Sequence, residues 1–339
     1  MRVSILIDNY NYDAYIAECI ESALNQTYAD VEVIVIDDGS RDGSIDIIRR
    51  YADRLAAIIE KPNGGQASAY NRSFERCTGD IVMWLDADDQ LYPEAVEHIV
   101  AAWRPGVSKV QFRLDLIDAQ SRPLGRQLPR YLHAGPVAAR LMREFGAYGS
   151  PPGSGNAYAR TMLQQLLPIA EDPWRTGADS IPILLAPAHG VVISIEQPLG
   201  AYRVHRPAND GGLVFNNSPS GLRAEFERIM AGKKEVLAGL ARTGQPRHTP
   251  LWLAPWEVRT LALCRRFGEP ELSRQIKAQP DGKMRYLIRS ICRWPVWPTS
   301  RKVALIFWVL TVELAPTPLA LHVARMHRRT AGLPVAEPA

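Results

Sequence analysis

Cysteine is scarce in this chain of 339 residues: only Cys19, Cys77, Cys264 and Cys292 occur. No two of them stand close enough to form a metal knuckle or a redox pair, and the usage fits reduced, buried or half-buried thiols. An excess of one charge is lacking too. Lys and Arg total 40 against 36 Asp and Glu, and a net charge of +4 is too mild to argue for nucleic acid. No Gly-x-Gly-x-x-Gly and no Gly-x-x-x-x-Gly-Lys-Ser/Thr follows a strand, so a Rossmann dehydrogenase and a P-loop enzyme lose their main support. The Gly-x-Ser-x-Gly elbow of serine hydrolases is missing as well. Long hydrophobic runs are absent. The most apolar stretch, Val303 to Leu310, reaches Val312 before Glu313 and is then interrupted by Pro316 and Pro318. That is about half of the ~20 residues a spanning helix needs. Val3-Ser4-Ile5-Leu6-Ile7 follows only Arg2 and no small-residue cleavage site succeeds it, so it reads as a first strand and not as a signal peptide.

What is present is an ordinary globular composition, 46% apolar and 22% charged. The length suits one large domain with an appendage, or two domains. Strand and helix signals alternate over the first hundred residues. Apolar runs at Val3–Ile7, Val31–Ile36, Leu55–Ile59 and Ile81–Leu85 read as strands. Helical spacing separates them over 15–24, after Ser44, which can cap its helix, over 67–76 and over 93–103. This order predicts an α/β fold with a mostly parallel mixed sheet flanked by helices. Farther on, Val110, Phe112, Leu114 and Leu116 alternate with polar residues as in a half-buried strand, Ile181–Leu185 reads as a helix, and Val191–Ile195 and Ala201–His205 read as two short strands. From residue 218 the pattern turns helical and Arg-rich, which places a boundary between a catalytic domain over 1–217 (halves 1–100 and 101–217) and a basic helical region over 218–339.

Three predicted strands end in polar clusters: Asp8-Asn9-Tyr10-Asn11, Asp37-Asp38-Gly39-Ser40 and Asp86-Ala87-Asp88-Asp89. In parallel sheets such ends line one crevice. Two carboxylates one residue apart, Asp86 and Asp88, can turn into a loop and reach one hard cation, since Mg²⁺ or Mn²⁺ takes one or two carboxylates plus phosphate oxygens. An acidic turn that merely ends a strand is the plainer reading of that triplet, and a helix-capping turn is the plainer reading of Asp37-Asp38.

In sequence order these clusters, with Ala23-Leu24-Asn25-Gln26-Thr27-Tyr28, Asn63-Gly64-Gly65-Gln66 and Gly79-Asp80, resemble the inverting family 2 glycosyltransferases, which have the glycosyltransferase A fold. The resemblance is strong over residues 1–100, weaker over 101–210 and nearly absent beyond. It implies roles by position. Tyr10 matches the residue flanking the nucleotide base, Asp38 the carboxylate that hydrogen-bonds the base, and Asp86 the one near the ribose. Asp88 matches the metal-holding carboxylate, with Asp86 beside it, and His205 a further metal or diphosphate ligand, although a lone His is more often structural. Gly65, Gln66 and Asn71 should close on the nucleotide, and Arg203 offers a guanidinium fork to phosphate. Asp8 stands where the family often has Pro or Thr, which leaves the base open. The general base is sought in an acidic motif before a helix: Asp179 precedes Ile181 and is favoured over Glu171 and Asp172, because Leu199–His205 follows it at the family's usual distance. Asp179 also reads as an N-cap. Ser154-Gly155-Asn156 resembles the stretch that shapes the acceptor side.

The resemblance implies an enzyme that uses Mn²⁺ or Mg²⁺ and moves a sugar from a nucleotide-diphosphate donor to a saccharide or lipid-linked acceptor hydroxyl. Bacterial surface polysaccharide or glycolipid synthesis is the setting such relatives share. A non-catalytic nucleotide-sugar binding module of the same fold is the second reading. A phosphatase of the Asp-x-Asp type fits less, since its pattern usually follows the first strand. A cytoplasmic location is expected. From Arg285 to Arg329, eight basic residues face the single acid Glu313, and Trp294, Trp297 and Trp308 lie among them, which would suit contact with the inner face of a membrane.

Overall fold

The computed structural model describes residues 1–205, 219–245 and 250–330. Two compact units divide the chain: Met1–Arg140 with Tyr148–Val204, and Leu141–Ala147 with His205–Ala339. The boundary expected at 217/218 lies outside the described residues.

The first unit runs β1 (Val3–Asn9), α1 (Ile16–Leu24), β2 (Val31–Asp37), α2 (Ser44–Arg49), β3 (Ala57–Glu60), α3 (Gln66–Arg76), β4 (Ile81–Asp86), β5 (Gln90–Leu91), α4 (Ala95–Ala102), β6 (Val107–Ile117) and β7 (Pro123–Leu128). Then come α5 (Gly135–Phe145), whose last residues fall with the second unit, β8 (Asn156–Ala159), α6 (Arg160–Leu166), α7 (Ser180–His189) and β9 (Val191–Arg203). The nine strands form one mixed sheet in the order β3-β2-β1-β4-β8-β6-β9-β5, with β7 on β6. β1 to β4 are mutually parallel, and β8 runs antiparallel to both β4 and β6. From β1 the chain moves outward to β2 and β3, then returns to β4 on the other side of β1. The strand order therefore reverses between β1 and β4, where open α/β sheets hold ligands.

The apolar runs of β1 and β4 are covered on both faces, which is why they read as continuous stretches. Trp84 of β4 stacks on Tyr70 of α3 with centroids 4.2 Å apart, fixing that helix over the sheet. Three local expectations change. β6 is buried almost throughout, Lys109 and Gln111 included, because both its faces are covered. Val191–Arg203 is one long strand rather than two, pairing with β6 through register shifts around Pro198. Ser44 is the first residue of its helix rather than its cap, and its Oγ accepts the Tyr12 N–H.

The second unit carries α8 (Pro219–Arg242), α9 (Pro255–Phe267), α10 (Pro270–Ala278), α11 (Met284–Arg293), α12 (Thr299–Leu314) and α13 (Thr317–Thr330). Leu253, Val258, Leu261, Ile276, Leu287 and Val309 form its core. Trp294, expected among surface aromatics, is fully buried against Phe145 and Trp256. No helix among the described residues is long and apolar enough to cross a membrane.

Candidate active site

The carboxyl ends of β1, β2 and β4 place the acids side by side. Asp8 is in register with Asp86 on one side and Ile36 on the other, and Asn9 with Asp37. Tyr10, just past β1, is 42% exposed and stands at the rim.

Asp37 and Asp38 do different work. Asp37 folds the turn: Oδ1 accepts the N–H groups of Gly39 and Ser40 at 3.1 and 2.9 Å, and Oδ2 accepts from Asn9 at 2.8 Å. Asp38 instead clamps the loop beyond β3. It accepts the N–H of Gly64 at 2.9 Å and of Gly65 at 2.7 Å and pairs with Lys61. The carboxylate expected to read a base is thus largely engaged in holding the loop beside it.

That loop interlocks with the segment carrying Asp179. Gly65 has φ +85° and ψ 176°, a region essentially restricted to glycine, and a Cβ there would lie 2.7 Å from Arg175 Cα. Arg175 donates to Gly64 O at 3.1 Å and Asn63 Oδ1 at 2.6 Å, and its own carbonyl accepts the Gln66 N–H at 2.9 Å. Gln66 Oε1 accepts the Ala178 N–H at 2.9 Å, and Asn71 exchanges two hydrogen bonds with the backbone of Ile169, at 2.8 and 2.9 Å. Gln66 and Asn71, expected on the nucleotide, are committed to this segment. Gly65→Ala should therefore cost about 1–3 kcal/mol through backbone strain alone. Urea unfolding checks it: an unchanged midpoint would show that the loop relaxes freely.

Asp179 ends the interlocked segment and directly precedes α7. Its side chain makes no capping hydrogen bond, so the capping role is not taken up. Gly153 brings it towards Asp86: a Cβ on that glycine would stand 3.6 Å from Asp179 Cβ, 3.6 Å from Asp86 Oδ1 and 3.4 Å from Tyr70 Oη. Glu171 and Asp172, the other candidates for the base, are exposed.

Asp89 and Arg203 brace the Asp86–Asp89 turn. Ser154 Oγ accepts the Asp86 N–H at 3.1 Å and donates to Asp89 Oδ2 at 2.6 Å, and Asp89 Oδ1 accepts the Arg203 N–H at 2.9 Å. Arg203, expected to bind phosphate, is 2% exposed. Its Nε donates to Asp88 O at 2.8 Å, Nη1 to Asp118 O at 3.1 Å and Ser121 Oγ at 2.9 Å, and Nη2 to Glu18 at 2.9 Å. With its fork spent this way, it positions the Asp88 turn instead of facing a ligand.

The crowding of acids shows in their proton affinities. Burial pushes the Asp8 carboxyl up to about 8, and the charges of Asp88, Asp179 and Asp38 add to it. Burial also raises Asp86, helped by Asp8, Asp89 and Asp88. Asp8 Oδ1 is buried with no hydrogen-bond partner among the described residues. Lys109, which sequence reasoning passed over, is fully buried, and burial holds its amine well below the usual range. Its Nζ donates to Ser150 Oγ at 2.7 Å and lies 5.1 Å from the Tyr148 ring centre, so it braces the Ser150–Asn156 loop.

Hard oxygen donors that raise one another's pKa, with one oxygen orphaned, suit a divalent cation. Among the described residues no three His, Cys, Asp or Glu side chains form a ligand group. A cation here would rest on one or two carboxylates and complete its shell with phosphate oxygens.

Comparison with known proteins bears on family and fold. Residues 4–167 match the family model described as Glycosyl transferase family 2. An uncharacterised glycosyltransferase of Nostoc sp. is 33% identical over 216 residues, covering 62% of this chain and 66% of the relative. A chondroitin synthase of Pasteurella multocida is 45% identical over 97 residues, 28% of this chain and 10% of its own length. The chain thus spans two thirds or less of these relatives. The crystal structure of S. aureus TarS 1–349 with UDP is similar in fold, with a TM-score of 0.54 at 15% identity over 97% of this chain and 92% of that one.

Proposed function

Since this chain carries a family 2 glycosyl transferase domain over residues 4–167, we propose that it moves a sugar from a nucleotide-diphosphate donor to an acceptor hydroxyl with inversion. The observation that carries the reading is the convergence of Asp8, Asp86 and Asp179 around one strand-end crevice, with Asp88 on the adjoining turn. Asp179 takes the proton of the acceptor hydroxyl as that oxygen attacks the anomeric carbon. The bond from that carbon to the diphosphate oxygen breaks, and the nucleoside diphosphate leaves with the electron pair. Gly153 leaves the space between Asp179 and Asp86 open, and Tyr10 at the rim offers a ring to the base. Asp88, with Asp86, would hold Mn²⁺ or Mg²⁺, which neutralises charge on the departing diphosphate. Arg203 and Asp89 keep that turn in place.

Two relatives are chondroitin synthases by name, which supports polysaccharide synthesis, and we extend this to a saccharide or lipid-linked acceptor in the bacterial envelope. The first unit is the catalytic one in this reading. The test is a panel of nucleotide sugars screened by thermal shift with and without Mn²⁺, followed by donor turnover. UDP-sugars come first, because TarS is seen with UDP and UDP-GlcNAc. A panel in which no donor shifts the melting temperature in either condition would sink the proposal.

The acid cluster also sets a pH dependence. Folded, Asp8 keeps its proton to about pH 8, whereas its ordinary value is 3.8. Between those limits the folded state binds more protons than the unfolded one, so metal-free stability falls as pH rises. A cation bound beside the carboxylates displaces that proton. Added Mg²⁺ should then raise the melting temperature more near the upper limit than near the lower one. An equal gain across the range would show that the cation binds elsewhere.

A further inference from the structure

We propose that the α12–α13 hairpin is a docking face for an anionic lipid bilayer, a role independent of the chemistry assigned to the aspartates. α12 is apolar on opposite sides. Leu305, Val309 and Val312 enter the core of the second unit. On the other side Val303, Phe307, Leu310 and Leu314 share one face at helical spacing, and Val303, Phe307 and Leu314 are 58%, 71% and 77% exposed. Leu319 and Leu321 of α13 are exposed too, and a groove of about 480 Å³ runs between the helices, lined by Phe307, Leu310, Leu314, Leu319 and Val323. A contiguous exposed apolar patch of this kind marks an interaction surface.

Charge identifies what covers it. Cations stand at both ends of the stripe. At its start, Lys302 donates to Cys292 O at 2.9 Å, which brings Arg301 and Lys302 against the end of α11, beside Arg293. On α11, Arg285, Arg289 and Arg293 are all exposed and repeat at i, i+4 spacing. That arrangement is self-repelling unless something anionic lies over it. Arg301 and Lys302 also occupy the first turn of α12, which contains no acid, against the helix dipole. At the far end, Arg266 donates to Ala315 O and Thr317 Oγ1, both at 3.2 Å, and shares a hollow of about 490 Å³ with Arg274 and Lys277. The one acid from Arg285 to Arg329, Glu313, also lines that hollow, but it is paired with Arg265 at 2.5 Å, which leaves Arg266, Arg274 and Lys277 as its remaining charges. An apolar stripe bracketed by cations lies in the interfacial plane of an anionic membrane, with its apolar side chains below the headgroups. A second copy fits worse, because a self-complementary contact would bring cationic ends together.

Co-sedimentation of the full chain with vesicles tests this. Phosphatidylcholine vesicles with and without phosphatidylglycerol are compared at low and raised salt. The wild-type chain should sediment with the anionic vesicles, less so as salt rises, and not with the neutral ones. F307E/L314E should lose ~10-fold or more of that binding, and R274E/K277E should lose its anionic preference. All four substituted side chains are exposed, and an unchanged melting temperature and near-ultraviolet circular dichroism establish that both variants fold. Wild-type binding to neither vesicle, or equal binding by wild type and F307E/L314E, overturns the proposal. So does a wild-type dimer in light scattering that F307E/L314E dissociates without any lipid binding, which would assign the face to a second copy.

Discussion

Asp179→Asn lowers sugar transfer by ~10²–10⁴-fold, the usual worth of a general base, while donor affinity changes little. The amide keeps the shape of the side chain and cannot take a proton. No capping hydrogen bond is lost, because Asp179 makes none, so α7 should fold as before. The neighbouring loop is held by Gln66, Asn71 and Arg175. Steady-state turnover, with donor binding measured separately, gives the split: kcat falls and the donor Kd does not. Glu171→Gln with Asp172→Asn provides the contrast. Both acids are exposed, and removing their charge should leave kcat within a few-fold. If that pair abolishes turnover while Asp179→Asn retains it, the base has been misassigned.

Asp88→Ala has an effect of similar size for a different reason. A metal that stabilises the leaving diphosphate contributes several kcal/mol, so losing its ligand costs roughly 10²–10³-fold in turnover. The Mn²⁺-dependent part of the thermal shift given by a nucleoside diphosphate should vanish with it. The main chain of Asp88 stays in place, since Arg203 bonds to its carbonyl and Asp89 anchors the turn through Ser154. Stability without metal should hold or rise, because one of the charges that load Asp8 is gone. Full turnover in Asp88→Ala, with the Mn²⁺ response intact, would remove the metal from the scheme.

The strands around the crevice were legible because a parallel strand covered on both faces writes itself as an apolar run closed by a polar cluster. Val3–Asn9, Val31–Asp37 and Ile81–Asp86 all do so. β5, β7 and β8 were not legible. β5 is two residues long, β7 is mostly exposed, and β8 pairs only through partners far away in sequence. Lys109 was missed because a lysine in an alternating strand reads as a solvent-facing position, and only the far side of the sheet buries it. Arg203 and Asn71 show the limit from the other direction. Their motif positions were readable, but whether a polar side chain faces a ligand or a backbone carbonyl depends on contacts with Glu18, Asp118 and Ile169, remote in sequence. Trp294 likewise sits among arginines in the chain and inside the core in space.

Anomalous diffraction at the manganese edge, from crystals soaked with Mn²⁺ and a nucleoside diphosphate, reaches the heart of the scheme. One strong peak should lie within bonding distance of an Asp88 carboxylate oxygen and of the diphosphate, at the carboxyl ends of β1 and β4. A diphosphate bound there with no manganese, or manganese held away from Asp86 and Asp88, would contradict it.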